Sequence, residues 1–242
     1  MIVLAIFLSL TPAAVNADTV DIIHDGFGAD EVATFWGAGY AGANVHAGVY
    51  MLNKTADTGI GDTWSNGLLP GFCIELHEPA PSVTNTYDVI APDNHHNSYL
   101  GETLGSEKAN YLRELWDSYY DPAWASSSPT AQDNLAAAAF AAAVWEIVYE
   151  DLPGSATGYD VTVDGTTGLG GFAIDDIDTA TANKWLHELT GAGGKADLLV
   201  VSNDGNQNFL VAVPEPTTFM LLGLGGSMGL FGRKSRQRKR VA

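Results

Sequence analysis

Between residues 18 and 213 the chain alternates short apolar runs with turn residues. The segments TVDIIHD (19–25), ANVHAGVYML (43–52), LPGFCIEL (69–76) and NTYDVIA (85–91) are rich in β-branched and aromatic residues. Each is bounded by Gly, Pro or Asn, and each predicts a strand. Gly37, Gly39, Gly42 and Gly48 predict bulges or tight turns among them. Two helices follow. In SEKANYLRELWDSYY (106–120), Leu112, Leu115, Trp116 and Tyr119 recur at helical spacing, with Ser106 as the N-cap and Glu107 in the first turn. In PTAQDNLAAAAFAAAVWEIVYED (129–151), Thr130 caps and Asp133 completes a capping box. That helix is apolar nearly all round, which predicts burial, and its alanines let another element approach closely. Strands return at GYDVTVDG (158–165) and GGFAIDD (170–176). A third helix, TATANKWLHELTG (179–191), has Thr179 as its candidate cap. DLLVVSND (197–204) and QNFLVAV (207–213) close the pattern around an Asp204-Gly205 turn. Strands interleaved with helices, without regular βαβ units, predict an α+β fold: a short-stranded β-sheet or barrel with an inserted helical layer.

The two ends do not belong to that pattern. Ile2–Leu10 is a compact apolar run, and Val15-x-Ala17 has the small residues at which signal peptidase cuts. Residues 1–17 therefore predict a signal peptide, with Asp18 as the mature N-terminus. No Lys or Arg precedes the apolar run, as expected if translation starts further upstream. At the other end, Thr217–Gly232 is an apolar run of 16 residues, about 24 Å as a helix, against about 30 Å for a bilayer core. Gly223, Gly225, Gly226 and Gly229 loosen it further. Arg233, Lys234, Arg236, Arg238, Lys239 and Arg240 follow, a basic stop that stays on the cytoplasmic side of an inner membrane. Pro214 and Pro216 fix φ and lack N–H groups, so the segment before the run stays extended. These parts together predict a temporary membrane stop.

The order Pro214-Glu215-Pro216, short apolar helix, basic end resembles the PEP-CTERM sorting tail of Gram-negative bacteria. The resemblance implies three segments: signal peptide 1–17, extracellular domain 18–213 and sorting tail 214–240. It implies recognition at Pro214, Glu215 and Pro216 by an exosortase-type membrane enzyme. The chain is then expected to pass to the cell surface or to an exopolysaccharide matrix.

Charge adds one exclusion. Of the 11 Lys and Arg residues, six lie in the last ten positions. Residues 18–213 therefore carry five basic groups against 28 acidic ones, which repels a phosphate backbone and argues against nucleic acid as a partner. A hydrophobic content of 46% is ample for a packed core. With Cys73 as the sole cysteine there is no intramolecular disulfide; the thiol is either a buried small hydrophobe or reactive.

Phe72-Cys73-Ile74 and Ala143-Val144-Trp145 resemble two motifs of the thioester domains of bacterial surface adhesins. That resemblance implies a thiol on a strand and a helical Gln four residues before the Trp, joined as an internal thioester. Ala141 stands at that position and has no acyl group, and Gln132 is about 13 Å further along the helix axis. The thioester is therefore not expected, while the layout is. Trp145 is expected in the core or as an anchor, and Glu146 exposed or paired with a backbone donor. His95 and His96 lie in a polar stretch expected to be a solvated loop, without the spacing of a metal site. IDDID (174–178) and SNDGNQN (202–208) supply oxygens but not the twelve-residue calcium loop. No catalytic residue, cofactor or metal is assigned. The leading expectation is a non-enzymatic exported protein that binds noncovalently to exopolysaccharide or another surface ligand. A covalent adhesin using Cys73 and a secreted hydrolase using scattered carboxylates are the alternatives.

Overall fold

The computed structural model describes residues 17–163 and 171–214. The strands are β1 (Thr19–Gly37), β2 (Tyr40–Thr58), β3 (Gly67–Cys73), β4 (Asn85–Ile90), β5 (His96–Asn97), β6 (Glu102–Thr103), β7 (Phe172–Asp175), β8 (Leu198–Asn203) and β9 (Asn206–Ala212). The helices are α1 (Gly105–Tyr119), α2 (Ala131–Tyr149) and α3 (Thr179–Glu188). The fold is α+β. One antiparallel sheet runs in the order β2-β3-β9-β8-β4-β1-β7, and β1 also pairs with β2. Six of its strands therefore close a ring, which removes the free edges an open sheet would expose, and β7 extends it from the far end of β1.

β1 and β2 are much longer than the runs 19–25 and 43–52. The pattern stops at Asp25 because Gly26 and Gly28 interrupt the alternation, but the strand continues through irregularities between His24 and Phe27 and between Phe27 and Asp30. Gly26 takes φ 109°, a conformation a side chain rarely adopts. Beyond these bulges the strand resumes its inward residues Ala33 and Phe35 and reaches β7.

The helices follow the same logic of satisfied ends. Thr130 Oγ1 accepts from the Asp133 N–H while the Asp133 carboxylate accepts from the Thr130 N–H, so the capping box at α2 is present. α3 is capped by Asp178 and not by Thr179, because the longer reach of the carboxylate meets the Thr181 N–H. Ser106 does not cap α1 either; the helix begins one residue earlier, after Leu104, with no side-chain cap. The segment 158–163 is not a strand but a 3-10 turn and bends. The remainder of that predicted strand, the signal peptide up to residue 16, and the tail from residue 215 lie outside the described residues. Among the described residues no helix is long and apolar enough to cross a membrane.

α2 packs against β1 and β2 and is buried from Ala137 through Tyr149. Its alanines bring the helix backbone close to the strands, and Phe140 enters an aromatic cluster with Phe72, Trp116 and Trp124. Two carboxylates inside this layer are answered by backbone donors: Glu146 accepts from the Asp160 N–H at 2.7 Å and Glu150 from the Phe172 N–H at 2.8 Å. Lys108 of α1 donates to the Val148 carbonyl at 2.9 Å, a cation at the C-terminal end of α2.

Gly48 shows how tightly the long hairpin is drawn in. It faces Asp30 at the bulge with φ 151°, and a Cβ there would lie 2.2 Å from the Ala29 carbonyl oxygen. That neighbour is backbone and cannot yield cheaply. Gly48→Ala is expected to destabilise the protein by about 2–4 kcal/mol in urea unfolding, whereas Gly67→Ala, with open space around its Cβ, costs less.

Candidate functional site

The last turns of α2 meet the end of β3. Trp145 and Tyr149, four residues apart, share one helix face. The Trp145 indole N–H donates to the Cys73 carbonyl at 2.8 Å. The Tyr149 hydroxyl accepts from the Leu76 N–H at 2.8 Å. On the other side β9 continues the pairing, with Cys73 opposite Phe209 and the Ile74 N–H donating to the Asn208 carbonyl at 3.0 Å. Cys73–Leu76 is thus held by a helix and a strand at once.

Inside that frame two side chains converge. The Cys73 thiol donates to the Glu75 carbonyl oxygen at 3.1 Å, and Gln207 Nε2 donates to the same oxygen at 3.1 Å. A thiol and a carboxamide therefore meet over one acceptor atom. Both are withdrawn from water: Cys73 is 1% exposed and Gln207 6%. The Gln207 Oε1 has no hydrogen-bond partner among the described residues, and the Tyr50 hydroxyl lies beside this carboxamide. Burial pushes the Cys73 thiol up to about 12, so the free thiolate is not the resting form.

Sequence reasoning passed over Gln207 because it looked for an acyl group on α2. Two consecutive buried amides, Gln207 and Asn208, at the head of an otherwise apolar strand were the available signal. Buried amides have to be placed against polar partners. Ala141 is buried on α2, and Gln132 is exposed in the first turn. Cys73 and Trp145 are brought together, and Ala141 carries only a methyl group. Pro214 is described; Glu215, Pro216 and the six basic residues Arg233, Lys234, Arg236, Arg238, Lys239 and Arg240 lie outside the described residues.

His95 overturns the expectation of a solvated loop. It is fully buried, and neither ring nitrogen has a hydrogen-bond partner among the described residues. Its Nε2 is 3.9 Å from Glu75 Oε1. A Pro92–Asn94 turn and the Leu104 N–H on the His95 carbonyl fold the segment inward, while His96 stays exposed. Burial holds the His95 imidazole down at about 4 and pushes the Glu75 carboxyl up to about 7. Both groups prefer to be neutral there. The oxygens of the two acidic loops are used internally: Asp176 accepts from Thr34, Asp178 caps α3, and Asn208 accepts from the Asn203 N–H.

Residues 212–239 match the model of the PEP-CTERM protein-sorting motif. The chain thus carries the mark of an exported protein that is sorted at the membrane to the cell surface through exosortase processing. Among solved structures, the N-terminal thioester domain of the fibronectin-binding protein SfbI from Streptococcus pyogenes is similar at 15% identity. The match covers 76% of this chain and 94% of that one, with a TM-score of 0.37. No curated protein matches the chain.

The raised Glu75 carboxyl has a measurable sign. Its folded value lies above its unfolded one, so ionisation costs more in the fold, and the stability it permits at low pH is lost as pH rises. The stability difference between wild type and Glu75→Gln is expected to shift against wild type between about pH 4.5 and 8, read by denaturant unfolding across that range.

Proposed function

We propose that the chain is an exported surface protein in three parts: a signal peptide over 1–17, an ectodomain over 18–213 and a sorting tail over 214–240. The tail is read at Pro214, Glu215 and Pro216 and stopped in the membrane by its basic end, after which the mature protein joins the cell surface or its exopolysaccharide matrix in a Gram-negative bacterium. The ectodomain acts without turnover. Its Cys73 and Gln207 form an internal thioester that captures an amine on a surface partner.

The observation that carries this reading is the shared acceptor: thiol and carboxamide both donate to the Glu75 carbonyl at 3.1 Å. The chemistry balances. The Cys73 sulfur attacks the Gln207 carboxamide carbon, the S–C bond forms, the C–N bond breaks, and the thiol proton leaves with the amide nitrogen as ammonia. An incoming primary amine then attacks the same carbon, forms an amide and returns the thiol. Burial keeps water from the thioester until a partner binds. The Gln207 Oε1, buried without a hydrogen-bond partner among the described residues, favours the covalent reading over the simpler expectation of noncovalent binding.

Intact mass spectrometry of mature protein recovered from cells tests the covalent step. The expected mass is lower than the sequence by one ammonia, gains one methylamine on treatment, and is unshifted in Cys73→Ala and Gln207→Ala. An unshifted wild-type mass with a titratable thiol returns the ectodomain to noncovalent binding. For sorting, changing Pro214, Glu215 and Pro216 to Ala is expected to leave a membrane-held precursor on immunoblots; mature protein of normal size would contradict the tail assignment.

A further inference from the structure

The sorting motif starts inside the fold. Its match begins at residue 212, and Ala212 is still a strand residue, paired with Leu198. The Ala212 carbonyl accepts from the Trp64 indole at 2.8 Å, and the Val213 N–H donates to the Asp197 carbonyl at 2.8 Å. The backbone is therefore fixed up to the residue before Pro214. Only two residues, Glu215 and Pro216, separate Pro214 from the apolar run at Thr217, at most about 10 Å of extended chain from one to the other. There is no linker on which an enzyme could grip Pro214–Pro216 and stand clear of the domain.

Pro214 itself lines a groove of about 330 Å3, walled by Trp64, Leu68, Pro70, Trp116 and Tyr120. Trp116 and Tyr120 are stacked at 4.4 Å, and Leu68 projects at the rim with 61% exposure. An aromatic groove with an exposed aliphatic rim has the composition of an interface core, not of an idle surface. It is assembled from α1, β3 and the end of β9, which are distant in sequence, so it exists only in the folded domain.

We propose that this groove is a docking surface for the membrane enzyme that processes the tail, which seats an apolar or aromatic side chain in it while gripping Pro214–Pro216. The inference rests on the sorting reading. Its consequence is that processing reads the folded state of the ectodomain: a chain in which β9 has not joined β3 presents the motif without the groove.

Pulse-chase of the full chain in cells that carry the processing enzyme tests this. Leu68→Asp is expected to slow conversion of precursor to mature protein by about fivefold or more, while Val83→Asp, at an equally exposed position of 62%, leaves it unchanged. An eight-residue Gly-Ser insert between Val213 and Pro214 guards against a folding effect. In that background the enzyme can stand off, and the difference between Leu68→Asp and wild type is expected to vanish. Equal conversion of Leu68→Asp and wild type without the insert overturns the inference, as does an equal slowing with and without it. Retention of the mature protein on phosphatidylethanolamine–phosphatidylglycerol vesicles, abolished by Leu68→Asp, would assign the groove to lipid and also overturn it. If wild type yields no mature form at all, the sorting reading itself fails, which separates that failure from the others.

Discussion

The structure depends on one pair of hydrogen bonds between a buried helix and the end of a strand. Trp145 and Tyr149 hold the Cys73 carbonyl and the Leu76 N–H at 2.8 Å each. Both bonds lie in the core, where an unmade one would leave a backbone group unsatisfied at a cost of about 1–3 kcal/mol. Because the two side chains lie one helical turn apart and each meets its own backbone group, the pair fixes the register of α2 against the end of β3 and the residues that follow it. That register turns the Cys73 thiol and the Glu75 carbonyl toward the head of β9, where Gln207 waits.

The closed strand ring makes this contact possible. β3 lies between β2 and β9: β2 pairs its first residues up to Gly71, β9 pairs Gly71 to Cys73, and α2 is laid across that end. The same closure holds the backbone at Val213, whose N–H donates to the Asp197 carbonyl. The sorting motif thus begins at the end of a strand, and the groove beside Pro214 is made of residues that also secure that strand, Trp64 above all. The proposed reactive pair and the point of processing are thus both built on β9, one at its head and one at its foot.

Much of this was legible in the residues. Thr130 and Asp133 announced α2, and the alanine-rich, apolar body announced its burial, because both are local properties. The closing hairpin at Asp204-Gly205 was legible for the same reason; Gly205 takes φ 93° there. What was not legible depends on distant partners. β1 runs past Gly26 and Gly28 only because β2 follows it through the bulges. His95 sits in a polar run yet is buried, because the Pro92–Asn94 turn folds it under α1. Gln207 seemed an ordinary strand residue because the spacing rule that pointed to α2 cannot see across a sheet. Its role follows from the 3.1 Å contact with the Glu75 carbonyl, an atom 132 residues away.

A crystal structure of the mature ectodomain at a resolution that separates side-chain atoms tests the central claim most directly. The account predicts continuous density from Cys73 Sγ to the Gln207 side-chain carbon, with the Trp145 indole on the Cys73 carbonyl. Density in which Gln207 turns to solvent and the Cys73 thiol stands alone in apolar packing would contradict it.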